Sequence, residues 1–282
     1  MKTIMTALLC ASASFFSLNG FCQDTCQAKL HSYDEPQATP AVYTLSLGST
    51  TGGRLYYYGA QHITQPASAQ FAEIKKAWNE FQPTIALFEG PDRGIADSDT
   101  ATIRKFGESG YVRYLAKEAG IKTISLEPPP ADLFRYLVSQ YGQQKVELYF
   151  LLGEAMRLRT RLQYNREQIE KELLTMMAKM RQLAGDSILT RSIPDLANSF
   201  RLFWNNDLQW WQAPQSWFDP LKTSEETGGI FTNDINKLSS SFRNIYMLRQ
   251  LSALTNKGER VFAVVGRNHV AAQIDALKCA VR

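Results

Sequence analysis

Five consecutive apolar residues, Val261-Phe262-Ala263-Val264-Val265, stand near the C-terminal end of the chain. A strand with no polar position is buried on both faces, as in a parallel sheet covered by helices on either side. The segment before it, from Ala131 to about Leu254, carries no strand pattern. The last strand therefore has to find its partners far back in the sequence, across a long insertion.

Those partners are legible. Val42-Tyr43-Thr44-Leu45-Ser46-Leu47 alternates, Gly48 to Gly53 reads as a turn, and Leu55-Tyr56-Tyr57-Tyr58 completes a hairpin. Ala67 to Phe81 places Phe71, Ile74, Trp78 and Phe81 at helical spacing. Thr84 to Phe88 and Lys122 to Leu126 are short strands, separated by a helix around Tyr111 to Ala119 that stops at Gly120. This alternation predicts an α/β fold: a central mixed sheet flanked by helices, with a long helical insertion before the last strand. We expect one domain over residues 23–282, with the insertion at about 131–254.

Within the insertion, Leu148, Leu151, Leu152, Ala155, Leu158 and Leu162 form one apolar stripe. Ile169, Leu173, Met176, Met180 and Leu183 form another. Helices of this kind pack on a core more often than they act as a lid. Trp204, Trp210, Trp211 and Trp217 cluster in a Pro-containing segment; they read as core or as the lining of a cleft, core being the commoner use. Pro214 to Gly229 reads as a loop. Ile235 to Leu254 predicts a helix with Leu238, Phe242, Ile245, Leu248 and Leu251 on one face, and Val270 to Leu277 the closing helix.

Met1 to Cys22 has the pattern of a secretory signal: Lys2, a mostly apolar run to Phe16, then Gly20-Phe21-Cys22 before Gln23. Gln23 to Ala41 is polar and Pro-interrupted, an extended leader. The expected location is periplasmic or secreted, with no membrane span once the signal is removed. Cys26 and Cys279 would remain at the two ends of the mature chain. In an oxidising compartment they can form a disulfide, the alternative being two buried thiols. Net charge is +4, from 31 Lys and Arg against 27 Asp and Glu, and the excess is spread along the chain. Nucleic acid is therefore not an expected partner; a peptide or small-molecule substrate is.

Four apolar strands end in a glycine or a functional polar residue: Gly59-Ala60-Gln61-His62, Glu89-Gly90-Pro91, Leu126-Glu127-Pro128 and Gly266-Arg267-Asn268-His269. Ligands of open α/β sheets bind outside the carboxyl ends of strands. Two of the three histidines in the chain follow a strand in the same Gly-x-x-His form. Glycine permits a sharp bend and a close approach to a ligand. Two imidazoles with one or two carboxylates make a ligand set for a divalent metal, or a general base with electrostatic support.

In order and spacing these residues resemble the TraB/PrgY/GumN family, with the Tiki proteases and, more distantly, the erythromycin esterase-like and ChaN-like proteins. The matching positions are Gly59 with His62, Glu89, Arg243 with Asn244, and Gly266 with His269; Glu127 matches a second acidic position after a strand. The resemblance spans about Tyr43 to Leu277. It implies an α/β fold with an active-site cleft and, from the Tiki proteins, metal-dependent peptide cleavage. It also implies that Arg243 faces the cleft, where the helix pattern alone reads it as solvated charge.

Two functions follow as expectations. The first is an exported hydrolase of a peptide or ester-like bond. His62, Glu89 and His269 would hold a divalent ion (Mn, Co or Zn), Glu127 would act as a further ligand or base, and Arg243 would meet developing negative charge. Gly59, Gly266 and Asn244 would support them. The second is a non-catalytic cleft that sequesters a peptide signal, a metal or a haem-like cofactor. Membrane-surface binding through Arg157, Arg159 and Arg161 is disfavoured by the Glu residues interleaved nearby.

Overall fold

The all-apolar run becomes the middle strand of the sheet. The computed structural model describes residues 25–33 and 43–282, apart from the side chains of residues 183 and 186. The signal expected over Met1 to Cys22 lies outside these residues, as does the side chain of Leu183. The strands are β1 (Thr44–Gly48), β2 (Arg54–Ala60), β3 (Ile85–Phe88), β4 (Lys122–Ser125) and β5 (Arg260–Gly266). Among the described residues they form one five-stranded sheet in the order β1-β2-β5-β3-β4. β5 pairs parallel with β2 on one side and β3 on the other, β4 extends β3 in parallel, and β1 is the antiparallel edge. The fold is thus the expected α/β architecture with a mixed sheet. Because β2, β5, β3 and β4 run the same way, their carboxyl ends open on one edge.

Alternate residues of β5 serve opposite faces, as the period of two requires. Val261, Ala263 and Val265 pack with Leu55, Tyr57 and Leu87 beneath helices α8 (Thr232–Asn256) and α9 (Arg267–Ala280). Phe262 and Val264 pack on the other face with α1 (Ala69–Phe81) and α2 (Asp99–Glu118). The helices α3 (Pro130–Tyr141), α4 (Gln143–Leu162), α5 (Arg166–Ala184) and α6 (Ile193–Phe203) build a core of their own, and the short α7 (Ser224–Thr227) leads into α8. Three of the clustered tryptophans, Trp204, Trp210 and Trp217, are buried in that core, with Trp204 and Trp217 stacked 4.8 Å apart. Two of them satisfy their indole N–H groups on backbone carbonyls. Trp204 donates to the Gly228 carbonyl at 3.0 Å and Trp217 to the Thr227 carbonyl at 2.9 Å.

Four details depart from the sequence pattern. α8 buries Ile235, Asn244, Met247, Leu248 and Leu251, while Leu238, Phe242 and Ile245 are only half-buried. This helix touches two cores at once, so no single stripe describes it; Ile235 joins the helical core and Met247 the sheet core. α2 begins twelve residues earlier than its apolar spacing suggests, because Gly107 (φ 59°) kinks it and breaks the periodicity. α9 starts at Arg267, so His269 sits in its first turn and not in a preceding loop. Residues 25–27 form a helical turn in place of extended leader.

That turn is held by a disulfide between Cys26 and Cys279, with Cα atoms 5.5 Å apart. It closes a loop of 253 residues. Among the described residues no helix is long and apolar enough to cross a membrane. Loop-closure entropy puts the stabilisation by this bond at about 5 kcal/mol at most, with 2–4 kcal/mol typical. Urea titration of the Cys26→Ser, Cys279→Ser variant should show a loss of roughly 2–5 kcal/mol. An unchanged midpoint would mean that the N-terminal turn is held by packing alone.

Candidate active site

The carboxyl edge of the sheet opens into a cavity of about 730 Å³. His62 reaches it from the segment after β2, Glu89 from the end of β3, Gly266 and His269 from the β5–α9 junction, and Arg243 from α8. Of the five residues expected to surround one cavity, four line it. Glu127 is not on the wall; it bonds Arg243 instead. Three of the sheet's parallel strands therefore deliver chemistry to one place although they are far apart in sequence.

Arg243 is the hub. Its Nε donates to Glu127 Oε2 at 2.8 Å, and its Nη2 donates to Glu127 Oε1 at 2.6 Å and to Glu89 Oε1 at 2.5 Å. Glu89 Oε2 accepts the Gly266 backbone N–H at 2.5 Å, and Glu127 Oε1 accepts the Gly90 N–H at 2.9 Å. The side chains of Arg243 and Glu89 are only 18% and 14% exposed, so these charges meet in a medium that screens them weakly. Burial pushes the Glu89 carboxyl up, but Arg243, His269 and His62 outweigh it and hold it well below its ordinary range. Burial likewise opposes the Arg243 charge, and Glu127 and Glu89 more than restore it. Both groups stay ionised.

His269 is fixed from behind by a hydrogen bond, and His62 has a carboxylate behind it. Asn244 Oδ1 accepts from Gln273 Nε2 at 3.0 Å, and Asn244 Nδ2 donates to Tyr33 Oη at 3.2 Å. This orientation makes His269 Nδ1 the donor in its 2.6 Å bond to Asn244 Oδ1. With Nδ1 as donor, a ring carrying one proton has its lone pair on Nε2, which stands 3.5 Å from Glu89 Oε1. Two acceptors face each other there unless a proton or a cation lies between them. His62 Nδ1 lies 3.9 Å from Glu108 Oε2, and its pKa is raised, chiefly by Glu108, with burial opposing and Glu89 adding to the rise. Glu108 is itself held, accepting the Ile63 N–H at 2.5 Å and Gln70 Nε2 at 2.8 Å.

Of the two uses of glycine expected here, the sharp bend is absent and close approach is present, to other groups of the chain. Gly266 has an ordinary φ of −59°, and Gly59 likewise lies outside the left-handed region, so neither makes a bend that only glycine allows. A Cβ on Gly266 would stand 2.6 Å from His62 Nε2 and 3.2 Å from Glu89 Oε2. A Cβ on Gly59 would stand 2.7 Å from the Arg267 Cα and 2.9 Å from the Tyr43 carbonyl oxygen. Each is glycine so that a neighbour can come close. The unusual backbone belongs to His62, whose φ of 57° is a conformation that side-chain-bearing residues adopt at a cost.

Two members of the site do not stand out in the sequence. Tyr33, buried in a segment read as leader, lines the cavity and lies 3.4 Å from His269 Nδ1. Glu108 sits mid-helix in α2 and is turned toward His62 by the kink at Gly107; an acidic residue after an interior helical glycine is the faint signal available. Among the described residues no group of three or more His, Cys, Asp and Glu side chains is arranged to hold a metal ion.

Replacing Arg243 strands two carboxylates, so Arg243→Met should destabilise the fold by about 3–5 kcal/mol in urea melts. Glu89 has a depressed folded pKa. Its contribution is present above its ordinary value of 4.5 and is lost as pH falls through the folded value. Stability attributable to Glu89 should stay level from pH 7 to about 5 and decline below that. In Glu89→Gln this acid-side decline should flatten. Gly266→Ala should displace His62, read as a changed imidazole resonance by NMR. No protein-family model, curated protein or solved structure matches this chain.

Proposed function

We propose that this chain is an exported hydrolase of the TraB/GumN kind, cleaving a peptide or ester-like bond with a divalent metal ion. The observation that carries the reading is the pair of imidazoles around Glu89. His269 has Nδ1 bonded to Asn244 and Nε2 3.5 Å from Glu89 Oε1, while His62 has Nδ1 3.9 Å from Glu108 Oε2 and its Nε2 shares with Glu89 Oε2 the space that a Cβ on Gly266 would fill. Metal-ligating histidines are backed through the second ring nitrogen in this way. The donor types, two imidazoles and a carboxylate, suit Mn, Co or Zn. Charge agrees as well. Glu89, Glu127 and Glu108 carry three negative charges against one on Arg243, so with neutral imidazoles the cluster is left at −2. The residues that would hold the ion are His62, His269 and Glu89, which would have to draw closer together than they stand here. When bound, such an ion supplies Lewis acidity and brings water's pKa to about 7.

The chain's own groups do the rest. His62, the more exposed imidazole at 46%, would turn Nε2 to the ion, with Glu108 beside Nδ1 sustaining its basicity. Glu127 fixes the plane of the Arg243 guanidinium through two bonds, which leaves Nη1 to meet an oxyanion. Asn244 holds His269 in the tautomer that exposes Nε2. The disulfide fits an oxidising, periplasmic or extracellular setting.

The test is turnover of a peptide library and an activated ester by the mature chain, with metal analysis of protein from its native compartment. Chelation should abolish turnover and Mn, Co or Zn should restore it. His62→Ala and His269→Ala should each lower the rate at least ~100-fold. Turnover indifferent to chelation and to both substitutions would overturn the proposal. Saturation at one ligand per chain without product would instead favour the sequestering cleft.

A further inference from the structure

The wall of the cavity carries more positive charge than the hydrolytic groups use. Arg243 is engaged by Glu89 and Glu127, yet Arg161, Lys222 and Arg267 also line the cavity. Besides Glu89, the one carboxylate lining the cavity among the described residues is Asp219, whose Oδ1 already accepts the Leu221 N–H at 3.0 Å. Among the described residues no carboxylate pairs with Arg161, Lys222 or Arg267 within salt-bridge distance.

The neighbours of Arg161 show that this is selective. Arg157 is clasped by both oxygens of Glu154, at 2.7 and 2.6 Å. Arg159 donates to the carbonyls of Trp211 and Ala213 at 2.6 and 2.8 Å. Of the three arginines on this turn of α4, Arg161 alone lines the cavity. It lies near enough to His62 for its field to oppose protonation of that ring. The negative end of α4 favours any cation, which accounts in part for Arg161. It does not account for the other two. Lys222 precedes α7, and Arg267 is the first residue of α9, at the positive end of that helix, where a cation is unfavourable. Arg267 instead lies over the Tyr43 ring, 5.4 Å from its centroid. Cations from three separate elements, left without carboxylates around one concavity, make a field that concentrates an anion.

We propose that the cavity binds an acidic peptide segment, with a carboxylate against Arg161, Lys222 and Arg267 while the bond to be cut lies over His62 and Glu89. The cleavage half of this assignment rests on the hydrolase reading; the charge of the bound chain does not. A cavity of about 730 Å³ accepts a short extended peptide and excludes a folded partner.

The experiment is calorimetric titration of the full mature chain at low salt with a short Glu/Asp-containing peptide, its Gln/Asn counterpart and inorganic phosphate. The acidic peptide should bind roughly 10-fold tighter or more than the neutral one, and the gap should shrink as salt rises. Arg161→Glu with Lys222→Glu should erase the gap, with circular dichroism showing that the fold persists. If that pair fails to fold, Arg161→Gln and Lys222→Gln singly should each narrow it. Equal binding of the two peptides, a gap that survives the substitutions, or phosphate binding as tightly as the acidic peptide would overturn the proposal. Acidic-peptide binding with no product would leave it standing and count against the hydrolase. Cleavage of the neutral peptide without preference for the acidic one would do the reverse.

Discussion

The structure turns on one buried guanidinium. Arg243 reaches from α8 to Glu89 after β3 and Glu127 after β4, and Glu89 in turn takes the backbone N–H of Gly266 at the end of β5. Four elements are thus tied at the carboxyl edge of the sheet by charge-assisted bonds. Such a cluster is not an economical way to stabilise a fold, since removing charges from water costs several kcal/mol per ion. Apolar residues of similar shape would hold these strand ends at lower cost. What the cluster supplies, and apolar packing does not, is a carboxylate kept ionised and fixed in direction beside two imidazoles.

The surroundings are arranged to keep that geometry. His269 is oriented by Asn244, Asn244 by Gln273 and Tyr33, and Gln273 also reaches Tyr57 Oη at 2.9 Å. This chain of bonds runs through the buried sheet core, where a misplaced polar group is costly. Tyr33 enters it from a segment that packs against α9: His31 donates its backbone N–H to the Ala272 carbonyl, and Cys26 is bonded to Cys279. The disulfide is therefore more than a staple for the termini, because it anchors the stretch that carries a phenol to His269.

Labour is divided between the two cores. The sheet and α8 supply the imidazoles, the carboxylates and Arg243. The helical part supplies Arg161, Asp219 and Lys222 on the facing wall. Its own apolar core, built around stacked tryptophans, supports those charges and meets the sheet through α8, which joins both cores. Reactive groups stand on strand ends, where backbone pairing limits movement, and the facing wall belongs to a separately packed unit.

Much of this was legible in the sequence because it is local. The run Val261 to Val265 demanded burial on both faces, the alternation of Val42 to Leu47 demanded a strand, and the order of strands and helices fixed the α/β class. The residues at the strand ends, His62, Glu89, Glu127 and His269, were visible for the same reason: a polar residue at the end of an apolar strand needs an account. The rest required the tertiary structure. That Glu127 serves Arg243 and not the cavity wall depends on the distance between two strand ends, which no periodicity encodes. That Gly59 and Gly266 make room for Arg267 and His62, and do not bend the chain, depends on neighbours far away in sequence. Glu108 and Tyr33 were hidden because a helix kink and a disulfide place them. The apolar stripe assigned to α8 failed because that helix faces two cores and one polar site. Sequence pattern records how a segment meets water on average; only packing decides which polar groups are taken out of water together, and that selection makes the site.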